Sequence, residues 1–84
     1  MKNIQEISKL VKNLHTEAEV ESFFKELLTK SEIETLSKRW RILKMLKNSS
    51  TQREIASELK VSLCKVTRGA KILKNQNAIV KKFL

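Results

Sequence analysis

Across 84 residues the chain carries one glycine, Gly69, and no proline. Hairpins and tight strand connections draw on those two residues for positive φ and pre-set turns, so a strand-rich chain lacking both has little to turn with. Lys, Leu, Glu and Ile abound instead, and the expectation is an all-α fold of about six helices. At this length it is one domain, residues 1–84, with a small core. No apolar run approaches a membrane span and no secretory pattern opens the chain, so no membrane partner is expected. A single cysteine cannot form an internal disulfide, which suits a cytoplasmic location.

Apolar spacing places the helices. Ile4, Ile7, Leu10, Val11 and Leu14 define the first, which His15 ends. Thr16 with Glu19 forms a capping box for a second helix with an apolar stripe of Val20, Phe23, Phe24, Leu27 and Leu28. The third starts at Thr29 with Glu32, or at Ser31 with Glu34, and runs to about Asn48. Its apolar residues are Ile33, Leu36, Trp40, Leu43 and Leu46, with Ile42 and Met45 on a second flank. So wide an apolar surface implies burial on more than one side, and Trp40 on this seam reads as core rather than as a platform for bases. Two strongly apolar N-terminal helices and an over-apolar third point to a homodimer that completes the core; a compact monomer is the alternative. Asn75 or Asn77 is expected to cap a short last helix containing Ile79, Val80, Phe83 and Leu84.

The segment Thr51 to Lys74, TQREIASELKVSLCKVTRGAKILK, has the layout of a helix-turn-helix. Thr51 and Glu54 form a capping box, and Ile55, Ala56 and Leu59 give one apolar face. Leu59-Lys60-Val61 is the joint, and Ser62 is an N-cap residue for the second helix. Leu63, Val66, Ala70 and Leu73 recur at helical spacing and should face inward. Cys64, Lys65, Arg68, Lys71 and Ile72 lie opposite, and Ile72 is the odd residue on a wet face. Charge is segregated in the same sense. Residues 1–37 hold five Lys and seven Glu, net −2, whereas residues 38–84 hold thirteen Lys or Arg against Glu54 and Glu58, net +11. A positive field of that size over a helix-turn-helix points to double-stranded DNA. A basic protein–protein module docking an acidic partner is the alternative from another class.

Leu28-Thr29, Glu32, Leu36, Arg39 and Arg41-Ile42, followed by Thr51-Gln52-Arg53-Glu54-Ile55 and Val66-Thr67-Arg68-Gly69, resemble the tryptophan operon repressor family over residues 23–84, with a one-residue gap near Asn48. The resemblance implies an intertwined all-helical homodimer that represses transcription at a palindromic operator. It places Gln52, Arg53, Ala56, Leu63, Cys64, Lys65 and Thr67 at the DNA groove and its edges, with Lys71 and Lys74 near phosphates. Arg53 is the leading candidate for reading guanine through its two-pronged guanidinium; pairing with a neighbouring Glu is its bland reading. The resemblance also implies L-tryptophan as corepressor, held by Leu28, Thr29, Arg39, Arg68 and Gly69. The sequence departs from the family at Ile72, where the family has a small hydroxyl, and at Glu26, where it has an apolar residue. A relative that represses without tryptophan is therefore the alternative. Gly69 carries weight of its own, because a mid-helix glycine costs about 1 kcal/mol and marks a close approach, either of a ligand or of another helix.

Cys64 reads as a small residue facing the groove rather than a redox sensor. His15 has no partner at ligand spacing, so no metal is expected. No nucleophile–base pair, carboxylate dyad or phosphate-cradling loop is present, so no catalytic residue is expected.

Overall fold

The computed structural model describes residues 2–84. Five α-helices follow one another: α1 (Lys2–Lys12), α2 (Glu17–Leu27), α3 (Lys30–Lys47), α4 (Gln52–Leu59) and α5 (Leu63–Lys74), then a 3-10 turn, Ile79–Phe83. No strand occurs among the described residues. The all-α expectation holds, with the last of the six helical segments tightened to 3-10 geometry.

Contacts divide the chain into two compact units, the first ending at Ile33 and the second Glu34–Leu84. In the first, the Thr16 hydroxyl accepts the Glu19 N–H at 3.1 Å while the Glu19 carboxylate accepts the His15 N–H at 2.8 Å. This capping box is displaced by one residue on its return half. The Phe23 and Phe24 rings tilt against each other with centroids 5.6 Å apart. α1 and α2 bury no residue completely, and Ile4, Ile7, Leu10 and Leu27 stay exposed. Between the two starts considered for α3, the structure selects Thr29. Its hydroxyl accepts the Glu32 N–H at 3.1 Å and its N–H donates to the Glu32 carboxylate at 2.8 Å. That backbone donor first, and the Thr29 side chain second, hold the Glu32 carboxyl below its ordinary 4.5.

The core of the second unit is Ile42, Ile55 and Val66, one residue from each of α3, α4 and α5, with Met45, Leu46, Ala56, Leu59 and Val61 packed around it. Leu43 is buried as well. Ile42, assigned to a flank by periodicity, is 2% exposed, whereas Trp40 is 38% exposed and not core in this chain. The apolar surface of α3 is wide enough to serve two sides, and the α5 side takes Ile42 and Leu43.

The ends of α3 and α4 use left-handed residues that are not glycine: Ser49 at φ 69° and Lys60 at φ 55°. After α3, Ser50 N–H reaches Met45 O and Ser49 N–H reaches Leu46 O, each at 3.1 Å, the Schellman closure. After α4, Val61 N–H reaches Ala56 O at 3.1 Å, and both side chains pack on the core. This hydrophobic contact offsets the roughly 1–2 kcal/mol of a left-handed non-glycine residue. The joint is therefore Lys60-Val61-Ser62, one residue later than the sequence pattern places it, with Leu59 still helical. Thr51 caps α4 by accepting the Glu54 N–H at 3.2 Å. Ser62 occupies the N-cap of α5 but its side chain makes no capping hydrogen bond; Lys65 N–H reaches the Ser62 carbonyl instead. Beyond α5, the Asn75 side chain accepts the Asn77 N–H at 3.0 Å in a local turn, and Ala78 precedes the 3-10 turn. Neither Asn caps a helix start. Lys47 Nζ donates to the Leu84 main-chain oxygen, tying the chain end to the end of α3.

Gly69 sits where α5 meets α3. A Cβ added there would lie 2.8 Å from Ile42 Cγ2, 3.4 Å from Leu46 Cδ1 and 3.5 Å from Leu43 Cδ2. Ile42 Cγ2 is fixed close to its own backbone in a buried side chain and cannot swing away. The helix crossing thus accounts for the glycine.

Two predictions follow from this packing. Gly69→Ala should lose up to about 2 kcal/mol of unfolding free energy, because overpacking of about 1–3 kcal/mol outweighs the roughly 1 kcal/mol gained in helix propensity. In a urea-unfolding cycle with Ile42→Ala, the double variant should lose less than the sum of the two singles; additivity, or a more stable Gly69→Ala, contradicts the contact. For Glu32, a depressed carboxyl contributes stability that is present above its ordinary value and is lost as pH falls through the folded value. Glu32→Gln keeps an acceptor without the charge, so its helicity by far-UV circular dichroism should fall less steeply than wild type below pH 4.5.

Candidate nucleic-acid interface

α5 presents two adjacent stripes. Cys64, Thr67, Lys71 and Lys74 recur at i, i+3, i+7 and i+10 and are all exposed. Leu63 flanks them and is 47% exposed, so the inward position expected from its spacing is not the one it takes. It stands at the first position of α5, ahead of the point where Val66 meets the core, and lies beside Cys64 on the exposed side. The Thr67 hydroxyl lies 3.0 Å from the Leu63 carbonyl and 3.1 Å from Gln52 Oε1, placed to donate to either. Gln52 is the first residue of α4, so this contact sets the start of α4 against the middle of α5 and makes one polar edge from both. Sequence spacing alone gives no signal for it, because the two residues lie fifteen positions apart.

Arg53 is exposed beside Gln52, and among the described residues it has no ion-pair partner; the pairs present are Lys25–Glu21 and Lys38–Glu34. Its guanidinium is available to an outside acceptor. Ala56 is half-buried with its methyl against the core, which places it behind the edge rather than on it.

The second stripe is Lys65, Arg68, Gly69 and Ile72, at i, i+3, i+4 and i+7. With Arg39, Ile42 and Leu43 of α3 these residues line a recess of about 30 Å³. Three of the residues the family resemblance assigns to a ligand, Arg39, Arg68 and Gly69, are thus brought together, with Ile72, where the sequence departs from the family, beside them. Lys65, grouped above with the groove residues, is exposed and lines this recess. Ile42 and Leu43 complete its floor, and their signal was their place one turn beyond Arg39 on α3. Leu28 and Thr29 belong to the first unit: Leu28 is the half-buried C-cap of α2, and the Thr29 hydroxyl and N–H are both engaged with Glu32. Glu26 is exposed on α2 and lines a shallow hollow with Leu14, Ala18 and Phe23.

Cys64 is an exposed free thiol. No cluster of His, Cys, Asp or Glu among the described residues could hold a metal ion, and no helix among them is long and apolar enough to cross a membrane.

A family profile described as Trp repressor protein matches residues 2–84. Proteins named Trp operon repressor homolog from Xylella fastidiosa strains M23 and 9a5c are 49% and 48% identical over 59 residues, 69% of this chain. The match spans 62% of the length of those relatives. No solved structure matches the chain.

The free guanidinium at the polar edge generates a prediction. Arg53→Ala should reduce discrimination between a selected operator and random duplex by about 1–3 kcal/mol while sparing most non-specific affinity. Equal losses on both duplexes in a fluorescence-anisotropy titration would contradict a base-reading role.

Proposed function

The chain belongs to the Trp repressor family, and from that premise we propose that residues 1–84 work as a sequence-specific DNA-binding transcriptional repressor, as a homodimer on a palindromic operator. Members of the family are transcriptional regulators and not enzymes. The observation that carries the reading is the polar edge shared by α4 and α5, where Gln52 meets Thr67 and the exposed Arg53 has no acidic partner among the described residues. Lys71 and Lys74 continue that stripe as phosphate contacts, which fix position and not sequence. The concentration of positive charge after residue 37 adds long-range attraction to a polyanion. For the homodimer, support comes from the apolar side chains that stay exposed in a single chain, Ile4, Ile7, Leu10 and Leu27 in the first unit and Leu36 and Trp40 in the second. Two-fold pairing buries such faces and sets two reading helices against paired half-sites.

A specific observation favours the form of this reading in which L-tryptophan is not the corepressor. The recess beside Gly69 measures about 30 Å³, enough for one or two waters, where small-molecule pockets run to about 300–1,000 Å³. Ile72 stands in its wall and Ile42 closes over Gly69. The α3–α5 crossing is then held by aliphatic packing, with no ligand needed to set α5.

Selection from a random duplex library tests both parts. The enriched sites should contain two inverted half-sites, and L-tryptophan should leave the affinity for them unchanged. Sites without symmetry would contradict the homodimeric reading, and a tenfold gain in affinity with L-tryptophan would contradict the ligand-free one.

A further inference from the structure

We propose that Thr67 is a positioning residue: it holds the Gln52 side-chain amide with its NH2 group outward, so that Gln52 reads the acceptor edge of a guanine. The DNA partner rests on the function proposed above, whereas the orientation of the amide does not.

The Thr67 hydroxyl has one proton and two oxygens within reach, the Leu63 carbonyl at 3.0 Å and Gln52 Oε1 at 3.1 Å. The Leu63 carbonyl stands four residues back in the same helix, where it already accepts the Thr67 backbone N–H. Gln52 Oε1 faces no other donor among the described residues. Were the proton turned to Leu63, the two side-chain oxygens would meet lone pair against lone pair. The proton therefore belongs to Gln52.

With Oε1 engaged by Thr67, the two N–H donors of the amide are turned away from the hydroxyl. Gln52 is exposed at the first position of α4, so those donors are open to an outside acceptor. Polarity then selects the base. An unrestrained Gln pairs best with adenine, accepting from N6 while donating to N7, and that contact needs its oxygen outward. Guanine offers N7 and O6, two acceptors and no donor, on its major-groove edge. Arg53, the next residue, also carries donors alone, so the edge favours guanine over adenine at both positions. Thr67 lies between Cys64 and Lys71 on the exposed stripe of α5, which sets the amide it holds against that stripe.

Thr67→Val removes the hydroxyl and Thr67→Ser keeps it; the site is exposed, so far-UV helicity should be unchanged in both. In the free proteins, nitrogen-15 relaxation of the Gln52 NH2 should show an ordered amide in wild type and Thr67→Ser and a mobile one in Thr67→Val. On a duplex selected by wild type, each guanine is replaced in turn by 7-deazaguanine, which lacks N7. One replacement should weaken wild type and Thr67→Ser about fivefold, the scale of one hydrogen bond, and leave Gln52→Ala and Thr67→Val nearly unaffected. The salt dependence should match wild type in all three variants, since no charge is altered. A Gln52 amide equally mobile with and without the hydroxyl overturns the proposal, as does wild-type sensitivity at every guanine in Thr67→Val. So does a Gln52→Ala protein insensitive to one methylphosphonate but to no 7-deazaguanine, which assigns the amide to a phosphate oxygen. If wild type selects no duplex, the DNA reading fails, and the relaxation measurement alone decides the positioning.

Discussion

The contact between Gly69 and the γ2 methyl of Ile42 governs how the second unit is assembled. With no side chain on Gly69, α5 comes against α3 closely enough for Ile42 to be buried, and Ile42, Ile55 and Val66 then form one core from three helices. The rest of the unit is arranged around that core. Val61 and Ala56 close the turn between α4 and α5 on it, and the depth of the crossing leaves only a small recess beside Gly69. One missing methyl group thus links a packing constraint to the shape of the surface beside it.

Charge follows the same geometry. The buried arc of α5 is Val66 and Gly69, so its cations fall on what remains, Lys71 and Lys74 on the groove stripe and Lys65 and Arg68 toward α3. Cations on the first stripe stand exposed along α5; those on the second border one recess with Arg39. The helix-turn-helix and the α3 flank therefore act as one positive surface. Apolar exposure is distributed differently: in the first unit it falls on Ile4, Ile7, Leu10 and Leu27, and in the second on Leu36 and Trp40 of α3, on Leu63 at the start of α5, and on Ile79 and Phe83.

Much of this was legible in the sequence where the cause is local. Thr16, Thr29 and Thr51 each satisfy a backbone N–H three residues on, so a hydroxyl at the right spacing suffices to locate a helix start. The absence of proline and the solitary glycine left helices as the economical fold. What was hidden depends on contacts distant in sequence or on conformations that no residue type announces. Ser49 and Lys60 take left-handed angles where glycine is usual, so their turns carried no marker. Leu63 matches the apolar period of α5 but precedes its meeting with the core, and Trp40 matches that of α3 yet keeps 38% of its surface exposed. Periodicity specifies an apolar stripe, not which neighbour arrives to cover it. At the candidate site, family resemblance named Arg39, Arg68, Gly69 and Ile72, and the structure added Ile42 and Leu43 beneath them. The explanation of Gly69 by helix crossing required coordinates, since ligand contact and helix contact leave the same sequence trace.

The central claim is that aliphatic packing alone holds α5 against α3, so that the DNA-reading helix is set without a small molecule. Amide hydrogen exchange along Leu63–Lys74, measured with and without L-tryptophan, tests it most directly. Helix amides held by a closed crossing should be protected in the free protein, with the same protection when L-tryptophan is present. Rapid exchange through α5 in the free protein, slowed by adding L-tryptophan, would contradict it.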